Sequence, residues 1–220
     1  MFGEIATLPR PILMLAASVG LFSTVQEMAH WSEWSGLFIA DYILLTAAIP
    51  MWLGVTYVSS MMLVSARINW SGFLKFSGIM LLMFLPIMVG LVSALLLGQE
   101  NSRLATVISL LVLGWLILTF LPAWPIAQAI SHQFVSPIRI LRATSGYRWS
   151  LVGVALVTGG FDKIVPATSA ANSVGEAILL AIGNGLVSAM TMMIAASLGA
   201  TAWRYASQND RALRGHEAGG

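Results

Sequence analysis

Asp162 and Lys163 are the charged residues whose position in the sequence is most suggestive of chemistry. Only 13 uncharged residues separate Arg148 from Asp162, and a helix of that length covers about 20 Å of a bilayer core that is about 30 Å thick. Gly159-Gly160 precedes the pair and Pro166 follows it. One interpretation is a broken helix that holds both charges beside a polar transport path. The other, which we favour, is a short tilted helix whose Lys163 reaches the interface.

Glu27, His30 and Glu33 form a second group, spaced three residues apart. On a helix they cover roughly 120° of the surface, so that all three side chains can point the same way. Asp41 follows nearby, and imidazole together with carboxylates suits a divalent metal or a proton relay. The alternative, which two flanking tryptophans favour, is a segment that lies along the membrane surface.

Asn184 is a polar residue inside the last apolar stretch, and small residues surround it at helical spacing. An Asn in mid-membrane needs a hydrogen-bond partner, either on a neighbouring helix or on a substrate passing the Asp162–Lys163 pair. Ala181, Gly185 and Ala189 recur every four positions, which lets helix backbones approach closely. This face is predicted to pack inside the bundle or against a partner protein.

The composition sets the class of protein that these residues belong to. Of the 220 residues, 58% are hydrophobic and 9% are charged, whereas soluble domains have about 25% charged residues. The mean hydropathy is +0.85. We therefore expect an integral membrane protein, which excludes a soluble enzyme and a nucleic-acid-binding domain. The chain has no Cys, so thiolate chemistry and Cys-bound metals are excluded, and no cofactor is predicted.

Uncharged stretches predict an all-α, polytopic transmembrane bundle of about six spans. With the N-terminus and the C-terminus inside, all eleven Lys and Arg residues except Arg103 and Lys163 lie on the inner side, as the positive-inside rule requires. Residues 1–205 are expected to form one six-helix domain, and residues 206–220 a polar cytoplasmic tail. The predicted spans are Pro11–Gln26, Tyr42–Ala66, Phe76–Gln99, Leu104–Ser131, Trp149–Phe161 and Ala177–Trp203.

The predicted inner loop after the fourth span carries a short helix signal. Ser136 suits an N-cap and Pro137 the first turn of a helix. Arg139, Arg142 and Arg148 would then face anionic lipid head groups, which attract each basic residue near the surface by about 1 kcal/mol.

The run from Leu121-Pro122 through Ser136-Pro137, Arg139, Leu141-Arg142 and Gly146 to Trp149 resembles a broad superfamily. It comprises the membrane-anchor domain of glycerophosphodiester phosphodiesterases and related six-helix bacterial inner-membrane proteins of unknown function. An acidic residue common in that family before the amphipathic helix is replaced here by Gln128. The resemblance implies a six-helix membrane domain with an in-plane cytoplasmic helix. No phosphodiesterase domain is attached, so catalysis is not implied.

These patterns predict a multi-pass protein of the bacterial cytoplasmic membrane. It is expected to be an accessory or scaffold subunit without catalytic activity. Its expected partners are the lipid bilayer with its anionic head groups and either a membrane protein complex or a second copy, but no nucleic acid. A small transporter or channel that uses polar residues of spans five and six is the alternative. An intramembrane enzyme around Glu27, His30 and Asp41 is a third interpretation.

Overall fold

The computed structural model describes residues 9–31, 38–97, 101–158, 164–210 and 213. Within these ranges the chain is helical and contains no strand. The described residues form eight α-helices in succession, with two short 3-10 turns at Ser145–Tyr147 and Thr168–Ala170. The helices are α1 (Arg10–Trp31), α2 (Phe38–Leu63), α3 (Trp70–Leu97), α4 (Asn101–Phe120), α5 (Trp124–Ile130), α6 (Pro137–Ala143), α7 (Arg148–Thr158) and α8 (Val174–Asn209).

Four of the described helices are long and apolar enough to cross a membrane. They are α1, residues 46–63 of α2, residues 70–94 of α3, and α8. Residues 106–120 of α4 and all of α5 pass the same test as a pair that is bent by 55°. The described chain therefore has four such crossings, or five if the bent pair is one crossing.

The predicted fourth span, Leu104–Ser131, is interrupted rather than continuous. The helix breaks at residues 121–123, where Pro122 removes a backbone donor and Pro125 occupies the first turn of α5. A proline costs nothing in a first turn, because that amide has no intrahelical partner anyway. Pro50 and Pro86, by contrast, lie inside α2 and α3, which continue past them.

The predicted sixth span is shorter than its helix, whereas the end of the predicted fifth span, residues 159–161, lies outside the described residues. In the described residues α7 has 11 residues, or about 16 Å, and is too short to cross a bilayer by itself. Helix α8 has 36 residues, about 54 Å, and runs past the boundary expected at residue 205. Ala206 is fully buried and Leu213 is 2% exposed, so that part of the expected tail is packed against the protein.

Short polar signals set the ends of several helices. The chain leaves α2 through Ser65, whose φ of 57° lies in the left-handed region, and the amide of Ala66 donates to the carbonyl of Met61. That arrangement is a Schellman motif. Asn69 then caps α3 by accepting the amide of Gly72. At α8, the hydroxyl of Ser173 accepts the amide of Glu176, which satisfies a donor of the first turn.

Contacts between Cα atoms divide the chain into two compact units. The first unit comprises residues 1–66 and 154–197, and the second comprises residues 67–153 and 198–220. Helices α7 and α8 contribute residues to both units. The single domain expected over residues 1–205 stays a prediction.

In the first unit, α8 packs closely against α1 through small residues. A Cβ atom added to Gly185 would lie 2.5 Å from the carbonyl oxygen of Gly20 and would also clash with Thr24. One turn along, the hydroxyls of Ser23 and Ser188 are 3.0 Å apart and hydrogen-bonded. The core beside this crossing consists of Ala16, Val19, Val55, Ala189, Met192 and Ala196.

In the second unit, α3 and α4 lie side by side in the same manner. Gly90 contacts Leu110 and Leu111, and Gly114 lies against Ile87 so tightly that a Cβ atom would clash. Lipid offers an apolar side chain the same environment as a neighbouring helix does, so close packing rather than hydrophobicity drives this association.

We predict that Gly185→Ala lowers the stability of the protein in detergent by about 1–3 kcal/mol, because the added methyl group forces α8 away from α1. The matched control is Gly54→Ala, since a Cβ atom at Gly54 would meet nothing within 4 Å. Thermal unfolding of the two variants measures the difference. Equal melting temperatures for both would contradict the close crossing.

Candidate functional site

The best-defined polar structure of the described chain surrounds the connection between α5 and α6, residues 131–136. All of Trp124–Ala129 is buried, and Gln128 is 8% exposed. Its amide nitrogen donates to the carbonyl of Gln133 at 3.1 Å, and its amide oxygen accepts the backbone amide of Val135 at 2.9 Å. One side chain thus satisfies two backbone groups that belong to no helix.

Two further side chains complete this arrangement. The indole nitrogen of Trp124 donates to the carbonyl of Val135 at 2.8 Å. The ammonium of Lys75, near the start of α3, donates to the carbonyl of Ser131 at 2.9 Å. A cation at the C-terminal end of a helix is favourable, because the unpaired carbonyls carry partial negative charge. The connection is therefore held by side chains from two helices.

An amide at position 128 suits these two backbone partners better than a carboxylate would. A carboxylate there could accept the amide of Val135, but an ionised carboxylate has no proton to donate to the carbonyl of Gln133. The neutral amide serves both partners at once. A polar residue in the otherwise apolar heptapeptide Trp124–Ile130 is a sequence signal that could have identified this position, although not its hydrogen-bond partners.

Next along the chain, α6 begins where it was predicted to begin. Ser136 is the N-cap residue and Pro137 occupies the first turn, although the hydroxyl of Ser136 makes no capping hydrogen bond. Ile140 is fully buried, and the helix ends at Ala143. The predicted short helix in this loop is confirmed.

The three arginines predicted to meet lipid head groups differ in their surroundings. Arg139 makes two hydrogen bonds to Asp210, at 2.5 and 2.8 Å. Arg148 donates to the carbonyl of Leu141 at 2.7 Å, and Arg142 is exposed. The hydrogen bond and the negative charge of Asp210 raise the pKa of Arg139, against the smaller opposing effect of burial. Arg139 thus stays charged at any physiological pH.

The end of α8 is fixed to α6 by more than this ion pair. The amide nitrogen of Asn209 donates to the carbonyl of Ala143 at 3.2 Å. The rings of Tyr147 and Tyr205 stack with their centroids 5.5 Å apart. Neither Asp210 nor Asn209 was singled out from the sequence, because residues 206–220 read as a polar tail. A pairing across 71 residues leaves no periodic signal in the sequence.

The predicted metal or relay group is brought together only in part. Glu27 accepts a hydrogen bond from Thr168, which is 1% exposed, and His30 is exposed. Glu33 and the side chain of Asp41 lie outside the described residues. Within the described part of the chain, no group of three His, Cys, Asp or Glu residues is placed to hold a metal ion.

The predicted path residues are also described only in part, because Asp162 and Lys163 lie outside the described residues. The segment that follows them packs on α8. The amide nitrogen of Asn184 donates to the carbonyl of Pro166 at 3.3 Å, and Gly183 lies against Val165. The hydrogen bond predicted for Asn184 is therefore made to a loop carbonyl rather than to a neighbouring helix.

The small-residue face of α8 lies inside the first unit. Ala181 is fully buried, Ala189 is 8% exposed, and Gly185 contacts Gly20. This face was predicted to pack either inside the bundle or against a partner protein. At Gly185 the structure shows packing inside the bundle, against Gly20. A larger residue at Gly185 therefore disturbs the helix pair itself before it disturbs any partner.

We predict that Gln128→Leu destabilises the protein by about 1–3 kcal/mol, because it leaves a buried amide and a carbonyl without a partner. Gln133→Leu is the control, since the side chain of Gln133 is exposed and only its backbone is used. Thermal unfolding in detergent should separate the two variants clearly. Identical unfolding curves would show that the Gln128 hydrogen bonds carry no stability.

Comparison of the chain with protein-family models, with curated proteins and with solved structures found no match. The resemblance of residues 121–149 to the membrane-anchor superfamily thus stays a prediction.

Proposed function

We propose that this chain is an accessory or scaffold subunit of a bacterial cytoplasmic membrane, without catalytic activity of its own. One observation carries the proposal: three polar side chains placed on the apolar helices bind parts of the same chain. Gln128 holds the α5–α6 connection, Glu27 accepts from Thr168, and Asn184 binds the carbonyl of Pro166. Such contacts use the polar groups to shape a bundle.

Large exposed apolar side chains support a lipid environment for the helices. They line α3, α4 and α8, where a soluble protein would present polar residues. These side chains suit contact with acyl chains or with the helices of a partner. Among them are Leu81, Leu82, Leu85, Met88, Leu104, Ile108, Val112, Leu179 and Leu186.

The proposed topology has six spans with both termini inside. It takes the bent pair of α4 and α5 as one crossing, and it takes α7 together with the residues after Thr158 as another. The distribution of Lys and Arg supports it, since loops that would lie outside carry only Arg103 and Lys163. If the bent pair were instead a re-entrant loop, residues 102 and 136 would lie on the same side of the membrane.

Single cysteines test this topology cleanly, because the chain has no Cys of its own. We expect Ser102→Cys to react with a membrane-impermeant maleimide in intact cells. Ser136→Cys and Ser207→Cys should react only after the membrane is permeabilised. Reaction of residue 136 in intact cells would contradict the six-span topology and support a re-entrant α4–α5 pair.

Native mass spectrometry after gentle detergent extraction tests the scaffold function. We expect the chain to be recovered with a foreign membrane subunit in fixed stoichiometry, because a scaffold without its own chemistry acts through a partner. Gly54→Ala should retain that subunit. A lone monomer or homodimer would contradict the proposal.

The alternative function is a small transporter, and one observation favours it. The loop that follows Asp162 and Lys163 in the sequence contacts α8 at Gly183 and Asn184. In the event of a lone monomer or homodimer, proteoliposomes with an entrapped pH dye decide between the functions. Proton flux that is lost in Asp162→Asn would establish the transporter.

A further inference from the structure

A cleft opens in the second unit between α6 and the end of α8. Its volume is about 610 Å³. One wall comes from α6 and its N-cap residue, and the opposite wall comes from residues 209 and 210. The residues that matter for its chemistry are Ser136, Ile138, Arg139, Arg142, Asn209 and Asp210.

The cleft carries two cations and one anion. Arg139 and Arg142 are three positions apart on α6, so they lie on one face of the helix. Among the described residues that line the cleft, Asp210 is the one anion, and it pairs with Arg139. A guanidinium has five N–H donors, and the pair with Asp210 uses two of them. The cleft thus keeps a net positive charge and several N–H donors that can bind an anion.

Solvent reaches these groups. The side chain of Arg139 is 40% exposed and that of Asp210 is 24% exposed, and Arg142 is exposed. An ion pair in contact with water contributes little net stability. An anion that enters the cleft therefore competes with Asp210 at small cost. Ser136, whose hydroxyl makes no capping hydrogen bond, adds a neutral donor at the same wall.

We propose that this cleft binds a phosphate group, with Arg142 as the principal cation and Arg139 shared between the phosphate and Asp210. Arginine suits phosphate because its planar fork donates two parallel hydrogen bonds to two oxygens. In this arrangement Asp210 limits the affinity, since it occupies the donors that a second phosphate oxygen would use. Binding and the Arg139–Asp210 pair are then in competition.

The phosphate can come from a lipid head group or from a free anion in solution, and exposed apolar side chains in the cleft and elsewhere in the second unit favour the lipid. Ile138 lines the cleft and is 59% exposed. Phe134 precedes α6 and is 71% exposed, and Trp149 near the start of α7 is 87% exposed. Exposed aromatic side chains of this kind are typical of the membrane–water interface.

The test uses the full chain in an uncharged maltoside detergent. Short-chain phosphatidylglycerol is titrated in and the bound lipid is counted by native mass spectrometry, while a parallel titration uses inorganic phosphate. We expect Arg142→Gln to weaken binding about fivefold, the effect of one basic residue at an anionic surface. Asp210→Asn should strengthen binding by a similar factor.

Arg67→Gln is the matched control, because it removes one exposed arginine outside the cleft and should leave the affinity unchanged. Saturable binding of lipid alone supports a head-group site, and binding of inorganic phosphate supports a site for a free anion. Binding of neither, or equal losses in Arg142→Gln and Arg67→Gln, overturns the proposal. An unchanged lipid affinity in the Asp210→Asn variant also overturns the proposal, provided that the variant's melting curve matches that of the parent protein. None of these outcomes depends on whether a partner subunit exists.

Discussion

The constraint on which this structure depends is that an apolar solvent offers no partner to a backbone amide or carbonyl. Within a long helix the backbone amides and carbonyls bind each other. At the end of a helix some of these groups have no partner in the helix. In the connection between α5 and α6, side chains bind the backbone groups that have no helical partner. Trp124, Gln128 and Lys75 bind carbonyls or amides that no helix satisfies. At this connection the polar side chains accordingly serve the backbone.

Close approach of helices is the second principle, and it accounts for the residues that pack the bundle. Between Gly20 and Gly185 the backbones are near enough that no Cβ atom fits. In the other unit Gly114 lies so close to Ile87 that a Cβ atom would clash there too. Because lipid competes equally well for apolar side chains, such contacts gain from shape and from short hydrogen bonds. The pair of hydroxyls at Ser23 and Ser188 adds to that gain.

Much of the helical architecture could be predicted from the sequence, because hydropathy reports on length and environment directly. The long apolar runs correspond to α1 to α4 and α8, and Ser136-Pro137 marked the start of α6. Helix ends were missed where the signal is a single capping pair, as at Ser173 and Glu176. The contacts of Arg139 with Asp210 and of Gln128 with Val135 depend on how the chain folds back, which no local pattern encodes.

The length of α8 has a consequence for how the protein is made. Each compact unit combines an early stretch of chain with residues beyond position 153. Gly20 can contact Gly185, and Arg139 can pair with Asp210, only after the later residue of each pair has been synthesised. A ribosome adds about 5–20 residues per second, so the earlier helices spend several seconds in the membrane before α8 emerges. Neither unit closes until then, and the unfinished helices depend on lipid or on the insertion machinery to cover their small-residue faces.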